Sequence, residues 1–175
     1  MRTRIAVVAA CLFLMPRPSA GEVVDRAANG FTVRSEVTVM AGPDASYAAL
    51  ARVAEWWDAA HTWSGSAGNL RLEAKAGGCF CESLPNGGSV EHAVVVYAAP
   101  GQMLRVRGSL GPLQATALSG SLTWQFERAG DATKIILTYA VGGYFPGGAD
   151  ALAGPVDGVM SLQLGRLRAF VEAAK

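Results

Sequence analysis

The 175-residue sequence predicts an α+β domain: a curved, seven-stranded antiparallel sheet wrapped around a long C-terminal helix, with one or two short helices after the first strand. Three observations predict it. Residues 31–39 alternate apolar and polar with a period of two. Between residues 70 and 141, six strand-like runs are separated by Gly, Pro, Asn and Asp turn signals. Beyond Gly148 the apolar period becomes helical and stays so to the end of the chain. An antiparallel sheet with one apolar face needs a cover, and only this last segment is long enough to supply it.

Residues 1–20 read as a secretory signal peptide. Arg2 and Arg4 precede an apolar run from Ile5 to Met15, which Pro16 and Pro18 end before the small pair Ser19-Ala20. Cleavage is expected near Ala20, giving a periplasmic or secreted protein. Fifteen basic residues less the three leader arginines leave twelve against fourteen acidic ones, a net charge of about −2. Residues 21–30 read as a lead-in, and residues 31–175 as one domain. Phe31, Val33, Ser35, Val37 and Val39 share one face of the first strand. Gly42-Pro43-Asp44 ends it, with Asp44 as the expected N-cap of a helix running to Trp56-Trp57. The strand-like runs are Leu70–Lys75, Cys79–Leu84, Val90–Tyr97, Leu104–Ser109, Leu118–Glu127 and Thr133–Val141. In the final helix Val156, Val159, Met160, Gln163, Leu167, Phe170 and Val171 form an apolar stripe, with Pro155 in its first turn.

Loop lengths fix which side chains share a face. A type I′ turn at Asn86-Gly87 would set Cys81 against His92 and Cys79 against Val94, with Val90, Val94 and Val96 on the same inner face. Glu82 and Glu91 would then face water. A three-residue turn at Ala99-Pro100-Gly101 sets Leu104 against Val96, Val106 against Val94 and Gly108 against His92, sending Arg105 and Arg107 outward. The turn at Gly130-Asp131 pairs Phe126 with Ile135, Trp124 with Leu137 and Leu122 with Tyr139 inside, and Glu127 with Lys134 outside.

Composition narrows the function. A 51% hydrophobic chain can bury enough apolar surface to fold. Near-zero net charge without a Lys/Arg run excludes a basic nucleic-acid footprint. No apolar stretch is long enough for a stable membrane span. There is no Walker Lys-Ser/Thr, and no G-x-S-x-G motif supports a Ser-His-Asp triad.

Two clusters carry candidate chemistry. Cys79 and Cys81 share a strand face next to His92, and with His61 they would make a Cys₂His₂ set apt for zinc. Alternatively the two cysteines form a disulfide, since two strand steps separate their Cα atoms by about 6.6 Å, or they line an apolar cavity as free thiols. The segment from Trp57 to Gly65 would form a cavity mouth with His61 as acid/base or ligand, or else a packed loop with Trp57 in the core and His61 in water. Glu91 and His92 cannot act together, because neighbouring strand residues point to opposite faces. The run from Gly142 to Gly148 is a hinge carrying Tyr144 and Phe145 towards the cavity, or simply a turn.

The helix ending in Trp56-Trp57, Gly77-Gly78 before a strand, Pro100 with Leu104, Leu122-Thr123-Trp124 with Thr133-Lys134-Ile135, and the final helix through Leu164 and Leu167 resemble the SRPBCC, or START-like helix-grip, superfamily. The branch they most resemble is that of activator of Hsp90 ATPase homologues. The resemblance implies a sheet gripping the last helix, with a cavity between them that takes small hydrophobic or amphipathic molecules. Some members act as cyclases. It carries no fixed catalytic set, and an exported chain does not fit a cytosolic Hsp90 partner. The expected ligand wall is Val94, Val96, Val106, Trp124, Leu137, Tyr139, Met160 and Gln163. Trp57, His61 and Tyr144 are expected nearer the mouth, with Cys79, Cys81 and His92 as a polar floor. A binding protein without a cofactor is the first expectation. The alternative is a cyclase-like or metal/thiol-dependent enzyme using Cys79, Cys81, His92 and His61.

Overall fold

The structure, a computed structural model, describes residues 21–174; residues 1–20, read above as a signal peptide, lie outside the described residues. Eight strands form one antiparallel sheet. They are β1 (Glu22–Ala27), β2 (Gly30–Val39), β3 (Leu70–Leu72), β4 (Cys79–Ser83), β5 (Ser89–Ala99), β6 (Met103–Gly108), β7 (Ala117–Ala129) and β8 (Ala132–Tyr144). Their spatial order is β1-β2-β8-β7-β6-β5-β4-β3. The helices are α1 (Pro43–Ala51), α2 (Val53–Trp56) and α3 (Ala153–Ala173).

The extra strand, β1, comes from the expected lead-in. It is an edge strand held by backbone pairing to β2, and nearly all its side chains are exposed, so its sequence has no apolar period to read. Asp44 sits in the first turn of α1, and Gly42 is the N-cap.

The alternation of β2 survives intact, with Phe31, Val33, Ser35, Val37 and Val39 all buried. Across from it, β8 and β7 form a long hairpin in which Leu122 opposes Tyr139, Trp124 opposes Leu137 and Phe126 opposes Ile135, the expected register. Leu164 and Leu167 of α3 pack with these residues in one core. Ser35 Oγ and Ser161 Oγ, 2.8 Å apart, tie β2 to α3. At the opposite end of the sheet, α3 holds the corner after α2. Arg166 Nε donates to the Trp56 carbonyl at 2.8 Å, and the Asp58 N–H donates to Gln163 Oε1 at 3.0 Å. That corner sends residues 58–69 across the end of the sheet, where the cavity lies.

Candidate functional site

The site is organised by β4 and β5. At Asn86 and Gly87 the backbone takes positive φ, as a type I′ turn requires, but Ser83 rather than Leu84 faces Ser89. The chain recovers the expected register at Cys79–Val94 through a bulge, because Cys81 pairs with Glu91 and Phe80 with Ala93. His92 is the extra residue. A bulge re-aims the side chain it carries, and here it turns the imidazole to the inner side, 6% exposed. A second irregularity lies between Val95 and Tyr97. Val95 faces Val106 inside, while Val94 opposes Arg107 and Val96 is 43% exposed.

Phe80 and Glu82 therefore occupy the inner face that had been expected for the cysteines. Glu82 is 1% exposed. Its Oε2 lies 2.9 Å from His92 Nε2 and accepts the Trp63 N–H at 3.1 Å; its Oε1 accepts the Ser64 N–H at 2.5 Å. The expectation that Glu82 faces water is corrected: three donors replace the water it loses. Burial pushes the Glu82 carboxyl up, but the Ser64, Trp63 and His92 donors outweigh burial and hold it below its ordinary value. Burial pushes the His92 imidazole down, with Glu82 partly opposing the shift. Near neutrality the pair is a carboxylate and a neutral imidazole whose Nε2 carries the proton, a tautomer set by the carboxylate it faces.

Both shifts carry the same sign for stability. Unfolded, His92 takes up a proton as the pH falls through 6.5, before the folded form does, so stability declines from there to its lower folded pKa. Glu82 adds stability above 4.5 that is lost as the pH falls through its depressed folded value. Urea unfolding across this range should show a two-part decline, and His92→Gln should flatten the upper part. A wild-type curve level from neutrality to pH 5 would contradict this assignment.

Beside the pair is a cavity of about 410 Å³. Its inner wall is Leu70, Phe80, His92 and Tyr139; α3 contributes Pro155, Val156, Val159 and Met160. Two loops frame the opening, one with Trp57 and Ala60 to Trp63, the other with Leu110 to Leu113. Trp63 Nε1 donates to Gln114 Oε1 at 3.3 Å, joining the loops, and Gln114 Nε2 donates to the Glu91 carbonyl at 2.8 Å. Trp57 Nε1 donates to the His61 carbonyl at 3.0 Å, and its ring packs edge-on against Phe80. Tyr139 donates to the Gly108 carbonyl, and burial pushes its phenol up to about 12.

Of the expected ligand wall, the cavity brings together Trp57, His61, His92, Tyr139 and Met160, with His61 exposed at the mouth. The others lie elsewhere. Val106, Trp124 and Leu137 are buried in the core and do not line the cavity. Val94 and Val96 sit on the outer side because of the two β5 irregularities. Gln163 is buried at the α3–Asp58 contact, and Tyr144 is 72% exposed at the end of β8. Sequence reasoning missed Glu82, Leu70, Phe80 and the loop at Leu110–Leu113.

Cys79 and Cys81 also leave the cavity. They are joined as a disulfide, with Cα atoms 5.4 Å apart, on the sheet face away from Phe80 and His92. The Cys₂His₂ set does not converge, because His92 Nε2 is taken by Glu82 and the sulfurs lie on the other side. Among the described residues no three His, Cys, Asp or Glu side chains are grouped to hold a metal. Cys79→Ser with Cys81→Ser should leave binding of an apolar probe unchanged within twofold by fluorescence titration; a tenfold loss would place the disulfide in the site. Among the described residues no helix is long and apolar enough to cross a membrane.

A sheet closed over a C-terminal helix, with a pocket at one end of the grip, defines a helix-grip protein of the SRPBCC superfamily. The chain belongs to the polyketide cyclase/dehydrase and lipid transport family, whose model matches residues 30–172. Solved structures agree on the fold. An uncharacterised protein from Rhizobium leguminosarum is 20% identical, covering 86% of this chain and 99% of its own, with a TM-score of 0.61. CalU16 from Micromonospora echinospora is 14% identical over 89% of this chain and 88% of its own, at 0.53. DynU16, from the dynemicin biosynthetic locus, is 22% identical over 82% of this chain and 48% of its own, at 0.57. No curated protein matches the sequence.

Proposed function

We propose that this is an exported binding protein that holds a small apolar or amphipathic molecule between the sheet and α3. The observation that carries the reading is the cavity of about 410 Å³, walled mainly by carbon and opening between two loops. Its size falls in the range of small-molecule sites. A ligand burying on the order of 200 Å² of apolar surface there would gain about 5 kcal/mol before association costs. The family description and the leader pattern of residues 1–20 support the reading. Native mass spectrometry of the protein recovered from the exported fraction should show a co-purified apolar molecule. Val159→Trp, which fills the cavity from α3, should weaken binding of a neutral apolar dye at least tenfold with the melting temperature nearly unchanged. Undiminished dye binding in that variant would sink the reading.

A second reading, a cyclase-like enzyme, is favoured by the Glu82–His92 contact of 2.9 Å at the cavity wall. A carboxylate that fixes the imidazole tautomer prepares the other nitrogen to take a proton from a carbon next to a carbonyl. Its signature is catalysed exchange of that hydrogen for deuterium in a simple aryl ketone, lost in His92→Gln. Exchange no faster than in buffer would remove it. Chemistry at the Cys79 or Cys81 sulfur has no support, since both lie across the sheet from the cavity.

A further inference from the structure

The polar atoms of the cavity wall are almost all spoken for. The Trp57 and Trp63 indoles donate to His61 and Gln114, the Thr62 hydroxyl donates to the Ala59 carbonyl at 2.8 Å, and Tyr139 is shared between Gly108 and Leu110. His92 Nε2 is held by Glu82, whereas Nδ1 has no hydrogen-bond partner among the described residues. The other imidazole of the lining, His61, sits exposed at the mouth, so with the proton on Nε2, His92 Nδ1 is the bare acceptor of the inner wall. A ligand of carbon and hydrogen alone would strip water from this nitrogen and leave it unpaired, which weakens binding. An anionic ligand would meet the lone pair with the Glu82 charge behind it. Resting on the binding reading above, we propose that the cavity selects neutral molecules carrying an acidic hydroxyl, of phenol or enol type, whose O–H donates to His92 Nδ1.

The test compares 2-naphthol with 2-methoxynaphthalene, which differ in that hydrogen. Wild type should bind the naphthol about tenfold more tightly, a difference of about 1.4 kcal/mol. His92→Phe, which offers no acceptor, should bind the two probes with equal affinity. In wild-type protein, naphthol should shift the His92 Nδ1 nitrogen resonance, assigned against His61→Ala because the chain has two histidines. Equal affinity for both probes in wild type, or a preference surviving in His92→Phe, overturns the proposal and leaves the cavity as an apolar site. Failure to bind either probe overturns the binding reading as well.

A separate observation concerns the start of the described chain. On α3, Asp157 Oδ1 is buried without a hydrogen-bond partner, and burial pushes its carboxyl up. A Cβ placed on Gly21 would meet Ser161 Oγ first and lie 2.5 and 2.6 Å from the two Asp157 oxygens, so this glycine packs on Ser161 and the Asp157 carboxylate. Covalent geometry then keeps the Gly21 nitrogen within about 5 Å of it. Hydrolysis of the Ala20–Gly21 bond leaves a carboxylate on Ala20 and an ammonium on Gly21. We infer that Asp157 receives the ammonium created by this cleavage, a pairing that rests on the export reading. N-terminal sequencing of exported protein should begin at Gly21. Asp157→Asn should lower the melting temperature by several degrees in a chain starting at Gly21, and by much less in one retaining Pro18–Ala20. A leader left uncleaved overturns both the pairing and export. Correct cleavage with equal losses in the two chains overturns the pairing alone.

Discussion

Replacing Glu82 by alanine should cost about 3–5 kcal/mol and lower the melting temperature by roughly 6–20 °C, the conversion expected for a domain of this size. The side chain is one of the largest that is fully buried, and its removal strands His92 Nε2–H and the Trp63 and Ser64 amides together. The buried His92 donor then carries the cost of an unmet hydrogen bond, and the part-buried Trp63 and Ser64 amides lose the acceptor that fixes them. Glu82→Gln keeps one acceptor oxygen and should cost less than half as much. The loss should also be local, with the Trp63 and Ser64 amides exchanging hydrogen faster than those of β7 and β8. Thermal unfolding and amide exchange measure both, and a melting temperature within a degree of wild type would show that the carboxylate anchors nothing.

The second large effect is expected at Trp124. Its indole is 2% exposed, set against Leu137 across the hairpin and Leu104 on β6. Trp124→Ala should cost about 3–5 kcal/mol by lost transfer energy and an unfilled hole. Met160→Ala should cost less, because one side of Met160 already borders the cavity and truncation widens an existing space. Denaturant midpoints for the two variants decide it: equal losses would mean that Trp124 also borders empty space, as the sequence alone had suggested.

The contrast between these tryptophan and methionine positions shows what could be read from the sequence. The β7–β8 register followed from one turn at Gly130-Asp131 and clean alternation on both sides, so every expected pair is present. In β5 the run Val94-Val95-Val96 has no alternation, and two irregularities in that strand reverse which valine faces inward. The expectation that Cys79 and Cys81 line the cavity failed there. One signal was available: Phe80 and Glu82 alternate with the cysteines, and a phenylalanine gains more than a cysteine from burial. Following Phe80 inward would have carried Glu82 with it, towards His92. The segment from Trp57 to Gly65 could be read as a cavity mouth or a packed loop, and it does line the opening; its hold on Glu82 was not legible, because the backbone amides of Trp63 and Ser64 leave no trace in side-chain pattern.

The order of elements also bears on how the chain reaches this state. Gly30 of β2 pairs with Gly142 of β8, and α3 is the last element in the chain. Contacts so distant in sequence form slowly. A nascent polypeptide therefore emerges with its oily sheet side bare until the residues of α3 follow, and acquires its hollow only after they do. During that interval it is a client for any holding chaperone, and a truncation within α3 would extend the interval indefinitely.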